Sequence, residues 1–205
     1  MHRKFIRRTS NRLALSAVIC TAFASSSTRA SSSYVESISG DLSNNSAMPT
    51  PLTFTPGANT VAGRMGIPPG GVQDPDFFTF TIEPGTFLSA INVTQFTPDG
   101  SALGGSFFAI ASGTSISTSN PGLHLSNRLV PGIGDILPGL AAFPIFGGTG
   151  LAAQPGAGPY TVWFQETATS VAYSLNFVVT PVPEPATLAV VFGASDLLLR
   201  RRIRA

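Results

Sequence analysis

Between Val171 and Val179 the side chains alternate. Val171, Tyr173, Leu175, Phe177 and Val179 fall on one side, and mostly small or polar residues fall on the other. A period of two puts successive Cβ atoms on opposite faces of a strand, whereas a helix would scatter the same apolar residues around its circumference. The segment therefore reads as a strand with one buried face, and it needs neighbours to satisfy its backbone N–H and C=O groups. Residues 160–166 repeat the pattern. Residues 77–82 do so with Phe78, Phe80 and Ile82 inward. Turn residues at 83–86 and 98–100 bracket a strand at 87–96, and a further strand follows at 106–111. Weaker strand patterns lie at 34–39, 51–55 and 60–63. Short strands at this spacing predict an all-β fold, an antiparallel β-sandwich or jelly roll over residues 31–180. An N-terminal signal helix and a short C-terminal hydrophobic helix are expected to flank it. In 120–158, Pro-Gly pairs recur at Pro121, Pro131, Pro138 and Pro155 among apolar residues. That segment reads either as turn-linked buried strands or as an apolar surface loop.

Charge is sparse and segregated. Charged residues make up 11% of the 205 residues, and the formal net charge is +2. Yet residues 31–180 hold two basic residues, Arg64 and Arg128, against eight acidic ones, a net charge of −6. An acidic body repels phosphates and has no basic stripe, which excludes nucleic acid as a partner. The single cysteine, Cys20, excludes a disulfide framework and a cysteine-rich zinc site.

Both basic ends read as addresses. Residues 1–12 carry five positive charges, residues 13–24 form an apolar run too short to span a bilayer, and small residues follow. That order is a secretory signal peptide over 1–30, with Ala24 and Ala30 as the two cleavage candidates. The translocon and signal peptidase are the partners it implies. At the other end, Val182, Pro183, Glu184, Pro185, Ala186 and Thr187 precede an apolar run at 188–199 and the basic cluster Arg200, Arg201, Arg202 and Arg204. The arginines favour the cytoplasmic side of a membrane, which leaves the acidic middle exported. The run is 12 residues long and contains Asp196.

Residues 181–205 closely resemble the PEP-CTERM sorting signal of exported bacterial proteins. The resemblance implies transient anchoring of the tail in the inner membrane. It also implies recognition of Pro183, Glu184 and Pro185 by an exosortase, cleavage nearby, and delivery to the cell surface or extracellular matrix. The body is similar, more distantly, to bacterial pre-peptidase C-terminal domains. The similarity rests on the acid-x-acid-aromatic start and Pro-Gly turn of 74–86 and on residues 158–163. It implies a β-sandwich and says little about activity.

Chemistry in the body is thin. His124 is its one imidazole, and no Gly-x-Ser-x-Gly elbow accompanies it, so a catalytic triad lacks support. It reads as a polar residue on a loop or strand edge. Glu36, Glu83 and Glu166 are conceivable hydrolase carboxylates, yet at a strand end and in turns they read as solvated surface acids. For a cofactor, calcium is the candidate: Asp74 and Asp76 present two carboxylates beside loop carbonyls, with Asp41 or Asp99 contributing. A simple turn entering a strand is the alternative for that pair. Trp163, flanked by Thr161 and Gln165 in register, points outward if Val162 and Phe164 point inward, and so offers a stacking surface for a glycan. It serves equally as core filling. The expected function is that of a non-enzymatic exported surface or extracellular-matrix protein, with exopolysaccharide or other matrix as a partner. A carbohydrate- or calcium-dependent binding module is the alternative, and a hydrolase a more distant one.

Overall fold

The alternation at 171–179 becomes the middle strand of a five-stranded sheet in the computed structural model, which describes residues 31–100, 106–130 and 132–183. In chain order the strands are β1 (Ser32–Val35), β2 (Thr50–Pro51), β3 (Gly57–Gly66), β4 (Asp76–Ile82), β5 (Thr86–Pro98), β6 (Ser106–Ser112), β7 (Ser126–Val130), β8 (Gly134–Asp135), β9 (Gly158–Gln165) and β10 (Ser170–Pro181). Two short helices, α1 (Glu36–Ser39) and α2 (Leu137–Ala142), and a 3-10 turn at Pro121–Leu123 complete the described elements. One sheet has the order β1-β3-β10-β5-β8 and the other β2-β4-β9-β6-β7. The fold is all-β.

Both sheets turn apolar faces into one core. Val171, Tyr173, Leu175, Phe177 and Val179 are all buried there, with Phe78, Phe80, Ile82, Val162 and Phe164 from the other sheet. Phe177 sits at the aromatic centre, 5.3 Å from the Phe80 ring, 5.2 Å from Phe54 and edge-on to Phe78 at 5.8 Å. Among the buried polar residues, Asn59 is fully engaged. Its side-chain nitrogen donates to the carbonyls of Thr55, Gly57 and Phe177, and its oxygen accepts from Ser32 Oγ and Thr55 N.

Several expectations need correction. The sheets are mixed, not antiparallel: β1 runs parallel to β3, and β2 parallel to β4. Neither pair is joined by a hairpin, and the long intervening segments let each short strand lie in either direction. The strand expected at 34–39 ends at Val35, where the chain turns into α1 and Gly40 closes it. The strand expected at 51–55 shrinks to Thr50–Pro51, since Pro51 brings no N–H to a ladder. The strand expected at 60–63 instead runs ten residues. Segment 120–158 divides between the two readings. β7 and α2 send Val130, Leu137 and Leu140 into the core, while Leu123, Ile133, Phe143, Ile145 and Phe146 stay exposed. Buried Asn127 holds that exposed stretch, donating to the Gly147 carbonyl at 2.7 Å and accepting from Phe146 N at 2.9 Å.

The signal segment with Ala24 and Ala30, the motif residues Glu184, Pro185, Ala186 and Thr187, and the cluster Arg200, Arg201, Arg202 and Arg204 lie outside the described residues. Among the described residues no helix is long and apolar enough to cross a membrane. Val182 and Pro183, the start of the motif, are exposed just beyond β10, and Val182 N donates to the Gly85 carbonyl at 2.8 Å.

Candidate functional site

Three carboxylates from separate pieces of chain converge where α1, the loop after it and the start of β4 meet. One oxygen each of Glu36, Asp41 and Asp76 lies within 4.8 Å of the other two. The local sequence explains how Glu36 reaches there. β1 pairs with β3 in register Val35 to Ala62, so the next residue, Glu36, comes over Gly63. A Cβ at position 63 would occupy the place of the Glu36 carboxylate, so that glycine makes the approach sterically feasible. Arg64 N then donates to Glu36 Oε2 at 2.7 Å, and Leu42 N to Oε1 at 3.2 Å. Even so, burial holds the Glu36 carboxyl above its ordinary pKa against those two bonds.

Asp76 is the unusual member. It is completely buried, and among the described residues neither of its carboxylate oxygens has a hydrogen-bond partner. Burial first, and the charge of Glu36 second, push its pKa up to about 9. The Tyr173 hydroxyl faces it closely enough to ease its ionised form, but outside hydrogen-bonding geometry, so that buried hydroxyl is also unpartnered. Burial and the adjacent Asp76 in turn drive the Tyr173 pKa well upward. Asp74 has one buried oxygen without a partner and a pKa raised by burial and by Asp41. An open pocket of about 490 Å³ is lined by Glu36, Asp41, Asp74 and Tyr173, among others. Buried polar groups are nearly always paired, so three residues with orphan oxygens at one spot mark this cluster as the candidate site.

The remaining sequence candidates fall elsewhere. Of the two carboxylates weighed as additions to Asp74 and Asp76, Asp41 joins the cluster. Asp99 does not, because it is ion-paired with Arg64 at the surface. Asp74 also does more than turn the chain: its N–H and C=O exchange two 2.8 Å bonds with Gly66, anchoring the entry to β4. Glu83 is exposed. Glu166 is buried rather than solvated, because its carboxylate is consumed locally. It accepts from Ser106 Oγ at 3.0 Å, Thr167 N at 2.8 Å and Ala168 N at 2.9 Å. His124 is likewise buried, not on an edge. Its Nε2–H donates to the Ser117 carbonyl at 2.7 Å, with Asn127 3.5 Å from Nδ1, and none of its hydrogen-bond partners is a serine hydroxyl. Trp163 points away from the main core, half-buried, beside Phe77 and Phe107. Glu36 and Tyr173 are the site residues that calcium reasoning from sequence missed. Tyr173 carried one available signal, a hydroxyl on an otherwise apolar strand face.

No protein-family model matches the chain, and no curated protein is similar enough to count as a relative. The functional argument therefore rests on the site's own chemistry.

Proposed function

We propose that this chain is an exported surface or matrix protein whose β-sandwich body binds a divalent cation, calcium by class, through Glu36, Asp41 and Asp76. The observation that carries the reading is Asp76, a wholly buried carboxylate with two unpartnered oxygens, set against two further carboxylates. Calcium takes oxygen ligands at 2.3–2.6 Å, which puts any two of them within about 5 Å of each other, as these are. Its flexible coordination shell suits a set in which Asp41 is exposed and Asp76 buried. Asp74 and the Tyr173 hydroxyl stand ready to complete the shell from the same pocket.

The two sheets share a core, which supports a sandwich or jelly-roll arrangement of the body. Export and sorting are proposed on the motif at 182–187, whose first two residues emerge exposed from the last strand and are open to a processing enzyme. Binding, rather than catalysis, fits a wholly buried carboxylate that no substrate can touch.

Calcium titration tests the cation site. A ligand at 100 times its Kd adds about 2.7 kcal/mol to stability, or roughly 5–10 °C in Tm for a body this size. The chain is expected to melt that much higher in millimolar calcium than in chelator, with less effect from magnesium. Asp76→Asn should abolish the increment. Equal melting temperatures in calcium and chelator would overturn the reading.

A further inference from the structure

The outward face of the β2-β4-β9-β6-β7 sheet carries a cleft with no charged side chain among the described residues of its lining, and we propose that it binds a neutral polysaccharide. Two pockets, of about 420 and 300 Å³, share Thr118, Trp163 and Gln165 and so form one continuous depression. Half-buried Trp163 and Phe107 give it aromatic surface, and Phe77, almost wholly buried, backs them. Phe77 on β4 and Trp163 on β9 are register partners with rings 5.8 Å apart and 25° from parallel. Phe107 on β6 stands edge-on to Trp163 at 4.7 Å. The Trp163 Nε1–H donates to Gln165 Oε1 at 3.0 Å, which fixes that carboxamide at the cleft wall. Asn44, Asn45 and Gln73 supply three more carboxamides along one end, all exposed.

That lining selects an occupant by its chemistry. Carboxamides both donate and accept hydrogen bonds, as sugar hydroxyls do, and apolar ring surfaces suit the C–H faces of sugar rings. A polyanion meets neither a cation in the cleft nor an attractive field, since residues 31–180 carry a net charge of −6. An extended peptide would need a free strand edge for its backbone, whereas this is the face of a sheet whose backbone groups are already paired. The cleft crosses β4, β9 and β6 towards Leu129 on β7. Four strands spaced by about 4.8 Å span roughly 14 Å, room for a short run of sugar rings. Along β4, Asp76 faces the core side and Phe77 the opposite side, so the Asp76 carboxylate and the aromatic part of the cleft lie on opposite faces of that strand, with Asn44 at the cleft's end bonded to Asp74.

Native affinity electrophoresis of the full chain decides it. The gels contain soluble neutral β-glucan, xyloglucan or galactomannan, with alginate and polygalacturonate as anionic counterparts, each with and without chelator. Expected is retardation by at least one neutral polymer, unchanged by chelator, and none by the anionic pair. The surface double variant Gln73→Ala/Gln165→Ala should weaken that retardation about tenfold while keeping the parental Tm, and Trp163→Ala should weaken it at least as much. The proposal falls if no neutral polymer retards the chain, if the anionic polymers retard it instead, or if the glutamine double variant binds like the parent.

Discussion

Asp76 in the protonated state is a buried neutral acid, and ionised without a partner it is a buried charge. Its folded pKa, about 9, lies far above the ~3.9 of an unfolded aspartate, so the folded chain holds a proton that the unfolded chain releases. The stability this confers is fully present below about pH 4 and is lost as pH rises through about 9. Glu36 and Asp74 shift in the same direction and add to the slope. Metal-free protein in chelator is therefore expected to melt higher at pH 5 than at pH 8, and Asp76→Asn to flatten most of that difference. A calcium ion reverses the trend because its ligands must be deprotonated, so calcium affinity should rise from pH 5 to pH 8 with proton release visible by calorimetry. A metal-free Tm that climbs over this range would contradict the burial of Asp76. The sequence exposed this site only in part. Asp74 and Asp76 were legible from local spacing, because turn residues entering a strand point that way whatever the rest of the chain does, whereas spacing could not choose between Asp41 and Asp99 as the addition. Glu36 was not, since it arrives through a parallel pairing of β1 with β3 across 27 positions. Tyr173 was not, since its partner across the core comes from the other sheet.

Strands β4, β9 and β10 announce themselves because each alternates large apolar residues with small or polar ones; burial follows parity from Val171 to Val179 in β10, while Phe77 and Thr161 are buried on the other face of β4 and β9. β3 is quieter. Its sequence, Gly-Ala-Asn-Thr-Val-Ala-Gly-Arg-Met-Gly, holds few large apolar side chains, yet it is strand throughout because β10 pairs its whole length and β1 pairs Asn59–Ala62 on the other edge. Its last residue is the most demanding. Gly66 has φ +104°, and a Cβ there would run into the Thr169 carbonyl, a backbone atom that cannot swing away. Gly66→Ala is expected to lose ~1–3 kcal/mol in chemical denaturation and to loosen the Gly66–Asp74 bridge that positions the carboxylate site. A neutral effect would mean that the turn after β9 yields freely. Phe177 on β10 is the other test at this scale. It touches Phe54, Phe78 and Phe80 at the point where the sheets meet, and Phe177→Ala should cost about 3–5 kcal/mol. A loss under 1 kcal/mol would show that the shared core does not depend on that aromatic centre.

Seen as one molecule, the chain is a charge-poor acidic body between two basic ends, and its formal charge of +2 belongs to the ends. Ten of the twelve basic residues lie in the first 30 or the last 6 positions, so processing at both proposed sites changes the sign of the protein. On the proposed processing, the uncleaved chain is cationic and its two basic ends would be drawn to anionic lipid headgroups. The body left by that processing, −6 over residues 31–180, would be repelled from them. Cleavage would thus release the protein electrostatically as well as covalently, and it would deliver an acidic module with an affinity for divalent cations into the surroundings of the cell. The expected outcome is specific: protein recovered from the cell surface or medium lacks residues 1–24 or 1–30 and the terminal arginine cluster, and it binds an anion exchanger at pH 7. Glu184→Ala should leave the tail attached and the protein in the membrane fraction while the body keeps its calcium-dependent Tm. Intact-mass spectrometry separates the cases, and a mature protein still running from Met1 to Ala205 would refute both processing steps together.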